Sequence, residues 1–143
     1  MAATQVRGLQ LERLADEILA AKPGTSESHA LNQGAAAVFD LCDGKSSRAE
    51  MAVEVRRRTG LPADEEIVDL ALAELADAGL VDLNGLELPA VTRRSLIRRL
   101  GLSTVAAMAL PVVETILRPP EAAADVCVPH VRTPTPTPTP TAF

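Results

Sequence analysis

The sequence predicts an α+β domain of winged-helix-like architecture, with short N-terminal antiparallel strands, three helices and a C-terminal hairpin. Three observations predict this fold class. Short segments near the N-terminus alternate apolar and polar residues, as half-buried strands do. Capping residues then bound three successive helices. Finally, Asn84-Gly85, the preferred pair for a two-residue type I′ turn, separates the apolar residues 80–83 from residues 86–88. Three helices followed by a hairpin is the order found in winged-helix domains.

Three strands are expected before the first helix. Residues 9–12 alternate in apolar character, and residues 18–21 form a second short apolar segment after an acidic interruption. The Pro-Gly-Thr-Ser stretch at residues 23–26 is typical of a turn. The third strand is then predicted over residues 27–31.

The first two helices are marked at their ends. Asn32 can cap the first helix, and we expect that helix to end at Gly44, a glycine suited to a left-handed position. Ser47 and Glu50 have the spacing of a capping box for the second helix, which is predicted to end at Gly60.

The third helix is predicted from Pro62, which suits a first helical turn, to Ala78. Its apolar residues cover more than the single stripe that a helix needs to roof a small core. Two interpretations stay open: the additional alanines are simply helix formers, or part of this face lines a groove. The apolar residues are Ile67, Val68, Leu70, Ala71, Leu72, Leu75, Ala76 and Ala78.

The chain is expected to divide into three parts. The folded domain spans residues 6–89, a basic-led hydrophobic helical segment spans 90–121, and a disordered Thr/Pro-rich tail spans 122–143. Charge supports the division, since residues 1–91 hold 8 Lys or Arg against 16 Asp or Glu, whereas residues 92–143 hold 6 against 3.

Composition argues against nucleic-acid binding. Between Pro62 and Ala78 the third helix, which would read DNA in a winged helix, holds six carboxylates and no Lys or Arg. The chain has no Trp or Tyr and two Phe, so it lacks platforms on which single-stranded bases could stack.

No catalytic or metal-binding pattern is present in the sequence, and we predict neither an enzyme nor a cofactor. Cys42 and Cys127 do not form a disulfide framework, which favours a reducing, cytoplasmic compartment. Together with two histidines they give no zinc-ligand spacing. Cys42, on an apolar helix face, is typical of a small buried hydrophobe, and His29 has no nucleophile or carboxylate at a telling spacing.

One stretch resembles a known family. His29-Ala30-Leu31-Asn32, followed by residues 35–44 with the sequence AAAVFDLCDG, resembles the signature of the PqqD-like domains. Those domains bind leader peptides for enzymes that modify ribosomally made peptides. The chain departs from the usual pattern at residues 33–34, where Gln-Gly stands in place of Thr or Ser and Ala.

The resemblance implies a non-catalytic protein that captures the leader of a precursor peptide and presents it to a modifying enzyme, such as a radical-SAM maturase, in coenzyme PQQ synthesis or another peptide pathway. It implies that the leader adds as a strand to the third strand of the sheet and packs against the third helix. The carboxylates on that helix indicate a leader carrying Lys or Arg. The implied contact residues are Glu27, Ser28, His29, Ala30 and Leu31 on the strand, and Asp64, Glu65, Ile67, Val68, Ala71 and Leu72 on the helix.

The basic-led segment leaves three interpretations open. Residues 92–98 resemble a twin-arginine export motif, although a folded domain precedes them. Residues 100–117 just reach the length of a membrane span, with Pro111 and Glu114 counting against one. The segment is therefore a membrane contact, a helix that covers the domain or a partner, or a precursor fused to its own recognition domain, with residues 125–143 as the peptide to be modified.

A rival from another class is a structural or regulatory module. Such a module would dimerise, bind its own tail or bind DNA, and it would capture no separate leader.

Overall fold

A computed structural model describes residues 2–101 and 110–117 of the 143-residue chain. The predictions for residues 102–109 and 118–143, including the disordered tail, lie outside the described residues. The elements in chain order are β1 (Thr4–Gln5), β2 (Gln10–Leu14), β3 (Glu17–Ala21), β4 (Glu27–Leu31), α1 (Gln33–Asp40), α2 (Arg48–Thr59), α3 (Glu65–Asp77), β5 (Val81–Asp82), α4 (Arg93–Leu100) and β6 (Val113–Leu117).

The main sheet has four antiparallel strands in the order β2-β3-β4-β6. Its first three strands are the predicted ones, displaced by no more than two residues at any end, so the α+β prediction with N-terminal antiparallel strands is confirmed. The fourth strand, β6, comes from the far end of the described chain and was not predicted. A separate two-stranded sheet pairs β1 with β5.

The predicted hairpin is wrong beyond its turn. Asn84 and Gly85 adopt the expected positive φ angles of 49° and 77°, and the N–H of Leu86 donates to the carbonyl of Leu83 at 2.9 Å. However, β5 pairs with the N-terminal strand β1, and the chain after the turn forms no strand. The N-terminal residues supply the partner that the sequence pattern assigned to the second arm, so the winged-helix assignment stays a prediction.

The helix starts follow their caps. Asn32 caps α1, with its side chain accepting from the N–H of Ala35 at 3.1 Å, and the capping box of Ser47 and Glu50 opens α2. Gly60 closes α2 in the left-handed conformation, as predicted.

Two predicted helix boundaries are wrong. Helix α1 ends at Asp40, because a turn follows it. In this turn Gly44 has a φ angle of 80°, and the N–H of Gly44 donates to the carbonyl of Ala3. Helix α3 begins after Pro62, since the side chain of Asp64 accepts from the N–H of Ile67 at 3.0 Å and acts as the N-cap.

Two apolar clusters organise the described chain. The larger lies between the sheet and helices α1 to α3 and includes the fully buried Phe39. The smaller lies on another face of α3, where Ile67 and Leu70 pack with Leu96 of α4 and with Leu110. The extra apolar stripe of α3 is therefore covered by residues that follow the domain in sequence.

The prediction of one hydrophobic helical segment over residues 90–121 is wrong at residues 113–117. Helix α4 ends at Leu100, with Gly101 in the left-handed conformation at φ 57°. After Pro111 the β-branched residues favour extended chain, and Val113–Leu117 is a strand. Among the described residues, no helix is both long and apolar enough to cross a membrane.

Candidate functional site

The candidate site is the edge of β4 together with the adjoining face of α3. Strand β6 lies on this edge in antiparallel register, from Glu27 opposite Leu117 to Leu31 opposite Val113. All five residues of β4 have a partner on β6. The edge that a leader peptide was predicted to extend is thus paired with another part of the same chain.

The direction of the main-chain hydrogen bonds follows from the end of the ladder. The N–H of Asn32 donates to the carbonyl of Val112 at 3.2 Å. Because donors alternate sides along a strand, the N–H groups of Ala30 and Ser28 also face β6. By the same alternation, the N–H of Glu114 faces β4.

Asn32 holds the start of the added strand with its side chain. Its Nδ2 donates to the carbonyl of Leu110 at 2.8 Å, and its Oδ1 accepts from the N–H of Val112 at 3.0 Å. The same Oδ1 caps α1 by accepting from Ala35. One partly buried amide therefore couples the helix cap to residues 110–112.

Glu74 of α3 holds the strand from the other side. Its Oε2 accepts from the N–H of Val113 at 3.1 Å, the donor that points away from β4. Its Oε1 accepts from the guanidinium of Arg93 at 2.9 Å, and that guanidinium also donates to the carbonyl of Pro111. This charge-assisted network fixes the backbone of residues 111–113 against α3.

The apolar anchor of this segment is Leu110, which is 3% exposed. It fills the small cluster formed by Ile67, Leu70 and Leu96. Beside that cluster, Arg99 of α4 forms an ion pair with Glu66 of α3. Basic residues of this chain thus contact the acidic face of α3, where Lys or Arg of a leader was predicted.

Two buried polar side chains of β4 lie in the paired region. Nδ1 of His29 is 3.1 Å from the hydroxyl oxygen of Thr115. Its Nε2, and the hydroxyl of Ser28, have no hydrogen-bond partner within the described residues. Both side chains are almost fully buried. Their position helps to fix the register of β4 against β6, and it does not present a reactive group at the surface.

The structure divides the helix residues that the resemblance implied. Ile67 lies in the small cluster at the site, and Asp64 is the N-cap of α3. Glu65 is exposed in the first turn. Val68, Ala71 and Leu72 are fully buried in the main core, so they do not line the surface that residues 110–117 contact.

Sequence reasoning missed Leu70 and Glu74 on α3, and it assigned Asn32 only the capping role. Ile67, Leu70 and Glu74 are spaced as i, i+3 and i+7, which places them on one face of a helix. That spacing could have separated the site face from the core face. Arg93 lay outside the predicted domain, and no local pattern connected it with Glu74.

The described residues contain one cysteine, Cys42, and it is buried. Burial of the Cys42 side chain, with smaller contributions from Asp43 and Asp40, raises the pKa of its thiol to about 12. The thiol is therefore protonated at neutral pH and unsuited to nucleophilic attack. Within the two described ranges no group of three His, Cys, Asp or Glu residues could hold a metal ion.

Comparison with known proteins identifies the domain but not its C-terminal additions. Residues 12–81 match the family model described as coenzyme PQQ synthesis protein D (PqqD). No curated protein and no solved structure matched the chain. The match runs from β2 to the first residue of β5, so α4 and β6 lie beyond it. Residues 12–81, just under half of the chain, are thus similar to the PqqD family.

Proposed function

We propose that the PqqD-family domain is a non-catalytic peptide-recognition module. It takes up the leader of a ribosomally made precursor as an added strand on β4 and presents the peptide to a modifying enzyme, such as a radical-SAM maturase. The observation that supports the proposal is the five-residue antiparallel pairing of β6 along β4, in one defined register.

Affinity and selectivity come from different parts of this site. The outward N–H and C=O groups of β4 bind any extended backbone, as in β-augmentation generally. Selectivity comes from side chains beside the edge. Asn32 and Glu74 bind main-chain groups at one end of the added strand and so add affinity, whereas the pocket beside Leu70 gives selectivity because it takes an apolar residue.

Presentation needs no chemistry from the domain itself. A captured leader raises the concentration of its attached peptide near a bound enzyme, which converts an encounter in solution into a local one. The unreactive Cys42 thiol fits this role.

The test is a proline on the edge. Because β6 occupies the edge, the assay uses the full chain carrying Glu114→Pro, which removes one of the N–H donors that β6 directs at β4. The probe is a fluorescent peptide with the sequence of residues 108–119, followed by anisotropy. Adding Ala30→Pro should weaken binding by about tenfold or more, because one outward main-chain donor is lost.

Ala30→Val is the matched control, since it changes the side chain and keeps the N–H. It should bind within a few-fold of the parent. If Ala30→Pro bound the probe as well as the parent while its circular dichroism spectrum was unchanged, strand addition at β4 would be wrong.

A further inference from the structure

We propose that residues 110–117 are the domain's own ligand, so that recognition occurs in cis and a separate peptide reaches β4 only by displacing them. This proposal rests on the peptide-recognition function proposed above. It goes beyond that function by naming the occupant of the site, which lies outside the part of the chain that matches the PqqD family.

The first argument is that the contacts are specific to this segment. A strand that merely covered an open edge would need only ladder hydrogen bonds. Here, side chains of Asn32 and Glu74 bind the backbone at residues 110, 112 and 113. Leu110 in addition fills an apolar pocket on α3. The segment is thus held by an anchor, two polar clamps and a ladder, which is the combination that peptide-binding grooves use.

The second argument is charge. Residues 1–91 carry a strong excess of acidic groups, whereas the residues after them carry an excess of basic ones. Arg93 pairs with Glu74, and Arg99 pairs with Glu66. The acidic helix α3 favours a ligand that carries basic residues. Helix α4, which precedes residues 110–117 in the chain, supplies those basic residues.

The third argument is concentration. A segment tethered to its site has an effective concentration of the order of millimolar when the linker lets it reach. A peptide supplied in trans at micromolar concentration therefore competes against an excess of roughly a thousandfold. Unless its intrinsic affinity is far higher, the chain's own segment remains bound.

The test compares the full-length wild-type chain with Glu114→Pro and Leu117→Pro. The N–H of Glu114 faces β4, whereas that of Leu117, an exposed residue at the end of β6, faces away, where proline on an edge is tolerated. The labelled peptide of residues 108–119 is titrated into each chain. We expect Glu114→Pro to bind it at least about 100-fold more tightly than the wild type, and Leu117→Pro, which removes no N–H that faces β4, to stay near the wild type.

Each other outcome has one meaning. Equal binding by the wild type and by Glu114→Pro would overturn recognition in cis while leaving the peptide-binding edge intact. Absence of binding by a folded Glu114→Pro chain would instead overturn the proposed peptide-binding function.

Amide hydrogen exchange on the wild type gives a second measurement that needs no variant. The amides of Ser28 and Ala30 should be protected in the absence of any peptide. Exchange at the rate of an open edge would contradict the proposal even if Glu114→Pro failed to fold.

Discussion

Asn32 joins two parts of the molecule that are far apart in sequence. Its side chain caps α1 and, in the same position, binds the backbone at Leu110 and Val112. A cap alone is a local device that any helix can use. Here the same oxygen, Oδ1 of Asn32, accepts from the N–H groups of both Ala35 and Val112. The cap of α1 therefore depends on the position of residues 110–112.

Asn32→Ala is therefore expected to destabilise the protein by more than an ordinary cap mutation. Ser47→Ala, which removes the cap of α2 with no contact to residues 110–117, should lower the free energy of unfolding by about 1 kcal/mol. Asn32→Ala should lower it by about 2–3 kcal/mol, since two further hydrogen bonds are lost. Urea denaturation at neutral pH measures both. Equal losses would show that the bonds to Leu110 and Val112 add nothing to stability.

Helices α2 and α3 are tied by a charged pair with unequal burial. Asp69 on α3 is 2% exposed and accepts two hydrogen bonds from the guanidinium of Arg48, at 2.8 and 2.9 Å. The arginine side chain is one-third exposed. Removing the arginine leaves a buried carboxylate without that partner, whereas removing both charges leaves none.

We expect Arg48→Met to lower the free energy of unfolding by roughly 2–3 kcal/mol, somewhat less than for a fully buried pair. The double variant Arg48→Met/Asp69→Leu should recover most of that loss. Thermal or urea unfolding of the two single variants and the double variant completes the cycle. Additive losses would mean that the pair is not coupled.

The last turns of α2 carry a pH-dependent contact. Hydrogen bonds from Arg57 and Arg58 lower the pKa of Glu54 from 4.5 to about 2. A carboxylate whose pKa is lower in the folded chain stabilises that state above its unfolded pKa and loses the effect as pH falls through the folded one. The contribution of Glu54 is thus complete above about pH 4.5 and gone by about pH 2.

Glu54→Gln tests this at the level of the helix. Its destabilisation relative to the wild type should be small, because the pair is at the surface, and largest at neutral pH. It should shrink progressively between about pH 4.5 and pH 2. A difference that stayed constant over that range, in urea titrations at several pH values, would assign the effect to something other than ionisation of Glu54.

Local elements could be predicted from the sequence, and their distant partners could not. The cap at Ser47 and the stop at Gly60 depend on a few neighbouring residues, and both are where the sequence placed them. The turn at Asn84-Gly85 also formed, but its first arm paired with the N-terminus. In the same way, the edge at Glu27–Leu31 was predicted, while its occupant was not. Which strand fills an edge is decided by competition among all available segments, which local patterns do not encode.

At the scale of the whole molecule, an acidic family domain carries a basic helix and a strand that return to it. Of these additions, Val113 packs against the main core, whereas Leu96 and Leu110 belong to the smaller cluster. The additions instead cover the stripe of α3 that a minimal domain would leave open. This division explains why α3 carries more apolar residues than a helix that covers one small core needs.

Strand β6 is the outermost strand of the main sheet, and this position gives a further prediction about the whole molecule. Ile116 and Leu117 are exposed there, with Glu114 as the only charge on the strand. Glu114→Val should therefore promote self-association, seen as a concentration-dependent rise in sedimentation coefficient. Glu87→Val, at an exposed position outside any strand, is the matched control. If both variants stayed monomeric at equal concentration, the carboxylate would have no protective role.

A strand laid along a sheet moves the open border outward and does not remove it. Within the described residues nothing pairs with the far side of β6, where the N–H groups of Thr115 and Leu117 point away from β4. The pairing of β6 with β4 thereby builds a new template one strand further out. A second copy of the chain would pair with this edge and extend the sheet, as strands do in a fibre. The charge of Glu114 opposes that pairing.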